Sequence, residues 1–256
     1  MRFVNLVGLV LATAANAAPV IEQSLNSTKW TPDHVLQPGE VILYGSGRME
    51  VVHESVYHEL LSSQRLSHGA SQVNDASPDI PSAGHNSSGI HSRDSCDLTT
   101  AVITDETQNF VDWDVQMSPV VIGTGGGIDV SVSSGYSVSN RISVSAGLDL
   151  NLVKDKLDAS GGIDYSHTWT TEARVTVKAT IADGYSGVMI TKPIKTRKLG
   201  RVMRGCLGSQ TQEGTFSADS YREGSYEGVK WVSGAITTCS KKEFPLSRCS
   251  GSGDFV

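Results

Sequence analysis

The chain has 256 residues, of which 38% are hydrophobic and 19% are charged, and its formal net charge at pH 7 is −6. This mildly acidic balance makes nucleic acid an unexpected partner, because binding to the phosphate backbone relies on excess lysine and arginine. Beyond the N-terminus no stretch approaches eighteen consecutive apolar residues, so the sequence predicts no transmembrane helix.

The N-terminus has the layout of a secretory signal peptide. Met1-Arg2 precedes an apolar run from Phe3 to Ala15, and Ala15-Asn16-Ala17 provides a small-residue cleavage site. We therefore predict a signal peptide over residues 1–17 and a secreted, extracellular protein. Cleavage after Ala17 removes Arg2, takes the net charge from −6 to −7 and leaves 239 of the 256 residues. That length suffices for one large β domain or for a small module plus a larger one.

Residues 18–66 form a small N-terminal segment whose structure the sequence leaves partly open. Glu40 to Tyr44 predict a strand, and Gly45-Ser46-Gly47 predict a turn. The stretch 48–66 fits helical spacing, while Glu50-Val51-Val52-His53 also suits the second arm of a hairpin. Residues 67–95 are mostly Ser, Gly, His, Asn, Asp and Pro and predict a flexible, protease-accessible linker.

Residues 96–256 predict one β domain, and its strongest signal is a pair of period-two patterns between residues 128 and 181. From 128 to 152 eleven of thirteen even positions are apolar, and every odd position is polar or glycine. From 157 to 181 the phase reverses, with ten apolar residues at odd positions. Such alternation is typical of strands with one dry and one wet face. A turn at 153–156 that pairs Leu152 with Leu157 aligns the two dry faces, so we predict an antiparallel hairpin.

The predicted register opposes Val144 to Tyr165, Asn140 to Trp169 and Tyr136 to Ala173. At about 3.3 Å per residue each arm would extend roughly 80 Å, far beyond an ordinary strand. Either glycines bend or bulge the arms into shorter pieces, or the hairpin is one long ribbon. The predicted fold class is mainly β, an elongated antiparallel sheet or sandwich built around this hairpin.

Four cysteines and two glycosylation sequons support a secreted protein. An even cysteine count in a secreted chain favours two disulfides over thiol chemistry or metal binding. The sequence allows three pairings. We favour Cys96–Cys206, which ties the two ends of the hairpin segment together, with Cys239–Cys249 closing a short tail loop. The sequons begin at Asn26 and Asn86.

The remaining motifs predict neither an enzyme nor a cofactor. His53 and His58 are five residues apart, whereas a zinc-protease helix needs two histidines four apart. Gly123 to Gly127 read as a turn before a strand, because no Lys-Ser/Thr pair or helix follows. Asn140 and His167 would be near neighbours on the dry face, as a hydrogen-bonded polar pair or as a pH-sensitive spot.

A run of six basic residues without an acid follows the hairpin. It consists of Lys192, Lys195, Arg197, Lys198, Arg201 and Arg204. Such a run is commonly a solvated strand edge that discourages strand pairing. The alternative is a contact with an anionic lipid or glycan surface.

The hairpin, with serine and threonine on one face and aliphatic residues on the other, resembles the pore-forming domain of aerolysin-type β-toxins. The matching stretches are Asp129–Ser133, Ile142–Gly147, Ser166–Thr170 and Val175–Val177. The chain as a whole resembles small cysteine-stabilised secreted proteins of filamentous fungi, many of which are candidate effectors. It departs from the toxins in having no recognisable lectin module.

The resemblance implies that hairpins from several copies close into a β-barrel in a host membrane, because backbone groups cross hydrocarbon only when fully paired. The residues that would face lipid are Leu148, Leu150, Leu152, Leu157, Ile163, Tyr165 and Trp169. The acids that would face the lumen are Asp149, Asp158 and Asp164. The competing interpretation is a non-lytic secreted effector or extracellular binding protein, a β-sandwich that recognises a host cell-surface component.

Overall fold

The computed structural model describes residues 26–69, 96–172 and 177–256. The expected signal peptide, the Asn86 sequon and most of the expected linker lie outside the described residues. The two helices are α1 (Glu54–Ser63) and α2 (Leu150–Gly161). The strands are β1 (Thr28–Lys29), β2 (Val35–Leu36), β3 (Glu40–Gly45), β4 (Arg48–His53), β5 (Ser67–His68), β6 (Leu98–Val111), β7 (Val115–Gln116), β8 (Val121–Ile122), β9 (Ile128–Ser131), β10 (Ser137–Ser139), β11 (Arg141–Val144), β12 (Thr168–Thr170), β13 (Lys178–Ile181), β14 (Ser186–Cys206), β15 (Thr211–Tyr221), β16 (Glu223–Tyr226), β17 (Val229–Val232) and β18 (Gly234–Lys241). The chain is mainly β, as predicted.

Strand β14 forms the axis of the largest sheet. Its 21 residues would span roughly 65 Å at about 3.3 Å per residue. Residues 186–193 pair with β18 on one side and with β7 and β8 on the other. Residues 194–206 pair with β6 and β15, and β11 adds to β15. We call the part built on residues 186–193 the proximal sheet and the part built on residues 194–206 the distal sheet.

The N-terminal segment belongs to the proximal sheet rather than standing apart. Strands β3 and β4 form a hairpin, and β3 pairs with β18. Residues 48–66, which the sequence left open between strand and helix, contain both: β4 ends at His53, and α1 follows directly. The His53 side chain accepts a hydrogen bond from the Ser55 N–H and so caps the helix. Residues 67–69 were wrongly assigned to the linker, because β5 pairs with β6.

Both faces of the proximal sheet are covered. One face packs Ile42, Met49 and Met189 against the smaller sheet of β2, β13 and β9, which contributes Val130 and Ala179 to a common core. On the other face α1 forms one apolar cluster, and the C-terminal tail forms another around the buried Cys239. This part of the molecule is a sandwich, the architecture that alternation with one dry face predicts.

The predicted hairpin is correct at its base. Val130 pairs with Ala179 and Ser131 with Lys178, which is the predicted register. Farther along, Val138 instead of Asn140 pairs with Trp169, a slip of two residues. A two-residue slip leaves every side chain on its predicted face, because the side-chain period of a strand is two. We call residues 128–139 and 168–181 the ribbon; of these, residues 173–176, including Ala173, lie outside the described residues.

The predicted hairpin is wrong between residues 140 and 167, which we call the tip segment. Val144 pairs with Phe216 of β15 and not with Tyr165, and the expected turn at 153–156 lies inside α2. The open edge of β15 captures β11, and Val153 and Leu157, four apart, can then bury a helix face against the distal sheet. Asp149 caps the start of α2, and Gly162 ends it in a left-handed conformation.

Both favoured disulfides are present, Cys96–Cys206 and Cys239–Cys249. No helix in the described ranges is long and apolar enough to cross a membrane. The two disulfides are compatible with a secreted or extracellular protein.

Candidate functional site

The candidate site is the tip segment, which lies on the distal sheet. Val153 and Leu157 of α2 are buried with Val202, Phe216 and Ala218 of β14 and β15. The rest of α2 contributes no other buried residue. The tip segment is therefore held to the sheet by a small apolar cluster and by the β11–β15 pairing.

The residues expected to face lipid are divided between this cluster, the ribbon core and the surface. Leu157 and Tyr165 are buried in the cluster, and Trp169 is buried in the core that the ribbon shares with the proximal sheet. Leu148 and Ile163 pack at the edge of the cluster, and Leu152 is half-buried. Leu150, in contrast, is 45% exposed at the start of α2. The described fold thus covers most of the apolar face and leaves part of it in water.

Of the three acids expected to face a lumen, Asp149 and Asp164 are exposed and Asp158 is half-buried. Asp149 accepts hydrogen bonds from the Asn151 and Leu152 N–H groups. Asp158 accepts one from the Tyr165 N–H at 3.4 Å. The Ser166 hydroxyl and N–H donate to Asp164, which lowers the pKa of that carboxyl. In this fold the acids act as local caps of loops and of the helix.

The amino-acid pattern of residues 145–161 does not match the structure they adopt. Residues 145–152 and 157–161 alternate with a period of two, yet residues 145–149 form a loop and residues 150–161 form a helix. A helix buries residues three or four apart, and only Val153 and Leu157 use that spacing here. Natural sequences usually agree with their fold at every level, and local conflicts concentrate at functional sites. The tip segment contains such a conflict.

Asn140 fixes the point where the ribbon ends and the tip segment begins. Its side-chain amide donates to the Asp164 carbonyl at 2.7 Å and accepts from the Tyr221 N–H at 2.8 Å. Its backbone N–H donates to the His167 carbonyl. The buried amide is therefore hydrogen-bonded on both sides, but to Asp164 and Tyr221, whereas the expected pair with the His167 side chain is not formed.

Glu223 joins the end of the ribbon to the body of the protein. Its carboxylate accepts a 3.2 Å hydrogen bond from the Trp169 indole and lies 3.0 Å from the Lys230 ammonium and 3.8 Å from the His167 ring. The Lys230 contact, more than the others, lowers the pKa of Glu223. Glu223 and Tyr221 were missed by the sequence reasoning, because nothing in the chain indicates that β15 and β16 lie beside the ribbon.

The basic run is largely neutralised by acids on neighbouring strands. The ion pairs are Lys195–Asp112 at 2.6 Å, Arg197–Asp219 at 2.6 Å, Arg201–Asp105 at 3.4 Å and Arg204–Glu213 at 3.2 Å. The Lys198 ammonium lies beside Gly161 at the end of α2, where the helix dipole favours a cation. Lys192 is half-buried in the proximal sheet. This arrangement leaves little unpaired positive charge for an anionic lipid or glycan.

One group of possible metal ligands occurs among the described residues, formed by Asp114, Cys239 and Cys249. The two sulfurs are joined in a disulfide, so they cannot act as thiolate ligands. No family model matches the chain, and no curated protein is significantly similar to it. The residues of the chain itself therefore carry the functional inference.

Proposed function

We propose that the protein is a secreted, membrane-active effector or toxin whose tip segment inserts into a host membrane as part of an oligomeric β-barrel. The mismatch in residues 145–161 carries this proposal. In a strand, Leu148, Leu150 and Leu152 share one face and Asp149 and Asn151 share the other. A barrel in a bilayer needs exactly such an apolar outside and polar inside, a division that the described helix does not use.

The ribbon supplies a ready base for this change. A membrane-crossing strand needs about 9–11 residues, and residues 141–150 and 157–166 provide two arms of ten residues each. If pairing continues in the register observed between β10 and β12, Leu150 lies opposite Leu157 at the end of the hairpin. The polar side chains then remain on one face along both arms.

The change requires only limited disruption of the monomer. The four residue pairs of β11 and β15 must separate, together with the hydrogen bonds of Ser145 to Thr215 and of Asn140 to Tyr221. Helix α2 and the buried Tyr165 must also leave the distal sheet. The large core of the proximal sheet and the ribbon stays intact. A small local opening of this kind is far cheaper than global unfolding.

The experiment compares Leu150→Asp with Asn151→Asp in dye release from liposomes by the purified protein. Leu150 is 45% exposed and lies in the first turn of α2, where an acid is favourable, so the soluble fold should tolerate either change. In a barrel, a charge at residue 150 would lie on the lipid face beside the end of the hairpin and would be unfavourable in every subunit. We expect Leu150→Asp to abolish release and Asn151→Asp to retain it.

Equal release by the two variants would contradict the proposal, as would an absence of release by the wild type from every liposome tested between pH 5 and 8. The second candidate function is a non-lytic effector or extracellular binding protein. The ribbon favours it, because packing of Val130, Val138 and Ala179 in the core accounts for the alternation there without a membrane. Loss of the pore proposal would leave this function in place.

A further inference from the structure

Two leucines are exposed side by side at the far end of the distal sheet. Leu207 is 88% exposed and Leu98 is 67% exposed. Leu98 pairs with Cys206, the residue before Leu207, and the Cys96–Cys206 disulfide holds both strands together at this point. Leu207 begins the turn between β14 and β15. We call this pair the leucine tip.

The leucine tip lies at the same end of the molecule as the start of α2. A Cβ placed on Gly214 would lie 2.8 Å from Cδ1 of Leu148, and Gly214 pairs with Val202 near the end of β14. The other end of α2 lies beside Lys198, farther from the tip. The exposed Leu150, two residues after Leu148, therefore lies nearer to the leucine tip than the other end of α2 does.

We propose that the leucine tip is the surface that first contacts the bilayer, with phosphatidylcholine-type zwitterionic lipid as its partner. This inference deepens the proposed function, since it places the membrane contact beside the segment proposed to insert. Transfer of exposed aliphatic side chains from water into the acyl region of the bilayer lowers the free energy.

Size and charge favour a lipid surface over a protein partner. A stable protein interface buries about 800 Å² per partner, and two leucines on a narrow turn can offer only a small part of that area. Among the charges at this end, Arg204 is paired with Glu213 at 3.2 Å, and Asp97 is exposed beside Leu98. Among the described residues the local charge is therefore slightly negative, which favours zwitterionic over anionic lipid.

The first experiment is co-sedimentation of the full protein with phosphatidylcholine vesicles. Leu207→Ser and Leu98→Ser should each weaken binding about tenfold or more, because burial of a leucine is worth at least the 1.4 kcal/mol that corresponds to a factor of ten. Ile122→Ser is the matched control. Ile122 is 49% exposed on β8, which pairs with Ser186 at the opposite end of β14, and its loss should not change binding.

A second measurement places the tip directly in the lipid. Tryptophan in Leu207→Trp should be quenched by bromine-labelled acyl chains, whereas tryptophan in Phe244→Trp, 70% exposed just beyond β18, should not. Vesicle binding that depends on both leucines but gives no dye release would support the leucine tip and overturn the pore. Dye release with unchanged binding of both leucine variants would overturn the leucine tip and leave the pore standing. Failure of the wild type to bind vesicles would also overturn the tip.

Discussion

The proximal and distal sheets share strand β14 but differ in how they are stabilised. The proximal sheet is packed on both faces, by the ribbon on one side and by α1 and the C-terminal tail on the other. The distal sheet has one apolar cluster beneath α2, and its opposite face carries ion pairs such as Arg197–Asp219. A continuous strand can thus join a rigid body to a more lightly covered arm, and the arm is where local opening should be easiest.

The largest expected effect comes from replacing a buried valine with aspartate, once in the core of the proximal sheet and once in the cluster on the distal sheet. Val188 and Val153 are both fully buried. Val188→Asp should prevent folding, because its buried charge would lie among Ile190, Leu246 and Phe255 with no solvent path. Val153→Asp should mainly detach α2 and leave the proximal sheet folded. Thermal unfolding and hydrogen exchange measure this, and equal losses of melting temperature would remove the distinction between the two sheets.

Removal of each disulfide should have a smaller but graded effect. Cys96 and Cys206 are 110 residues apart, and Cys239 and Cys249 are 10 apart. In the chain-entropy model Cys96–Cys206 stabilises the folded state by about 5 kcal/mol and Cys239–Cys249 by about 3 kcal/mol, because the first closes the longer loop. Urea unfolding of the two double-alanine variants checks the order, and a larger loss at the short loop would show that packing around Cys239 outweighs chain entropy.

The two sheets should respond to pH in opposite directions. Burial raises the pKa of Asp114, whose Oδ1 has no hydrogen-bond partner within the described ranges. Burial also acts on Asp219, but the bonds from Arg197 and Lys195 outweigh it and lower the pKa. The folded state therefore favours the protonated form of Asp114 and the ionised form of Asp219. Stability from Asp114 is lost as pH rises through its raised pKa, and stability from Asp219 is lost as pH falls through its lowered pKa.

Melting temperatures of Asp114→Asn and Asp219→Asn between pH 3 and 7 measure this. Above about pH 4, the melting temperature of Asp114→Asn should rise relative to that of the wild type. The deficit of Asp219→Asn should shrink toward pH 3. Parallel curves for both variants would mean that neither carboxyl has the assigned environment.

The smallest expected effect concerns the end of β14. Arg204 and Glu213 have side chains that are 55% and 34% exposed, so Arg204→Gln should cost under about 0.5 kcal/mol. Arg197→Gln should cost more, since Arg197 makes a two-bond contact to the largely buried Asp219. Urea unfolding compares the two, and equal costs would show that burial does not separate these pairs.

The sequence predicted the features that depend on the local alternation of apolar residues and on the pairing of four cysteines. The register of β9 and β13 followed from two alternating patterns that must share a dry face. The Cys96–Cys206 disulfide followed from the ends of that hairpin, which left Cys239 and Cys249 to close a short tail loop. The tip segment was mispredicted because its alternation does not reveal that β15 offers an open edge to β11. The partners of Arg197 and Arg201 could not be predicted either, since Asp219 and Asp105 become their neighbours only through strand pairing.

The most direct measurement locks the tip segment on the distal sheet. Ser143 and Ser217 are paired across β11 and β15, and the Cα separation of such pairs, about 4.5–5.5 Å, suits a disulfide. The oxidised Ser143→Cys/Ser217→Cys protein should release no dye, and mild reduction should restore release. Wild type under the same reductant and the single Ser143→Cys variant are the controls. Release by the oxidised double variant at the wild-type rate would contradict insertion of the tip segment.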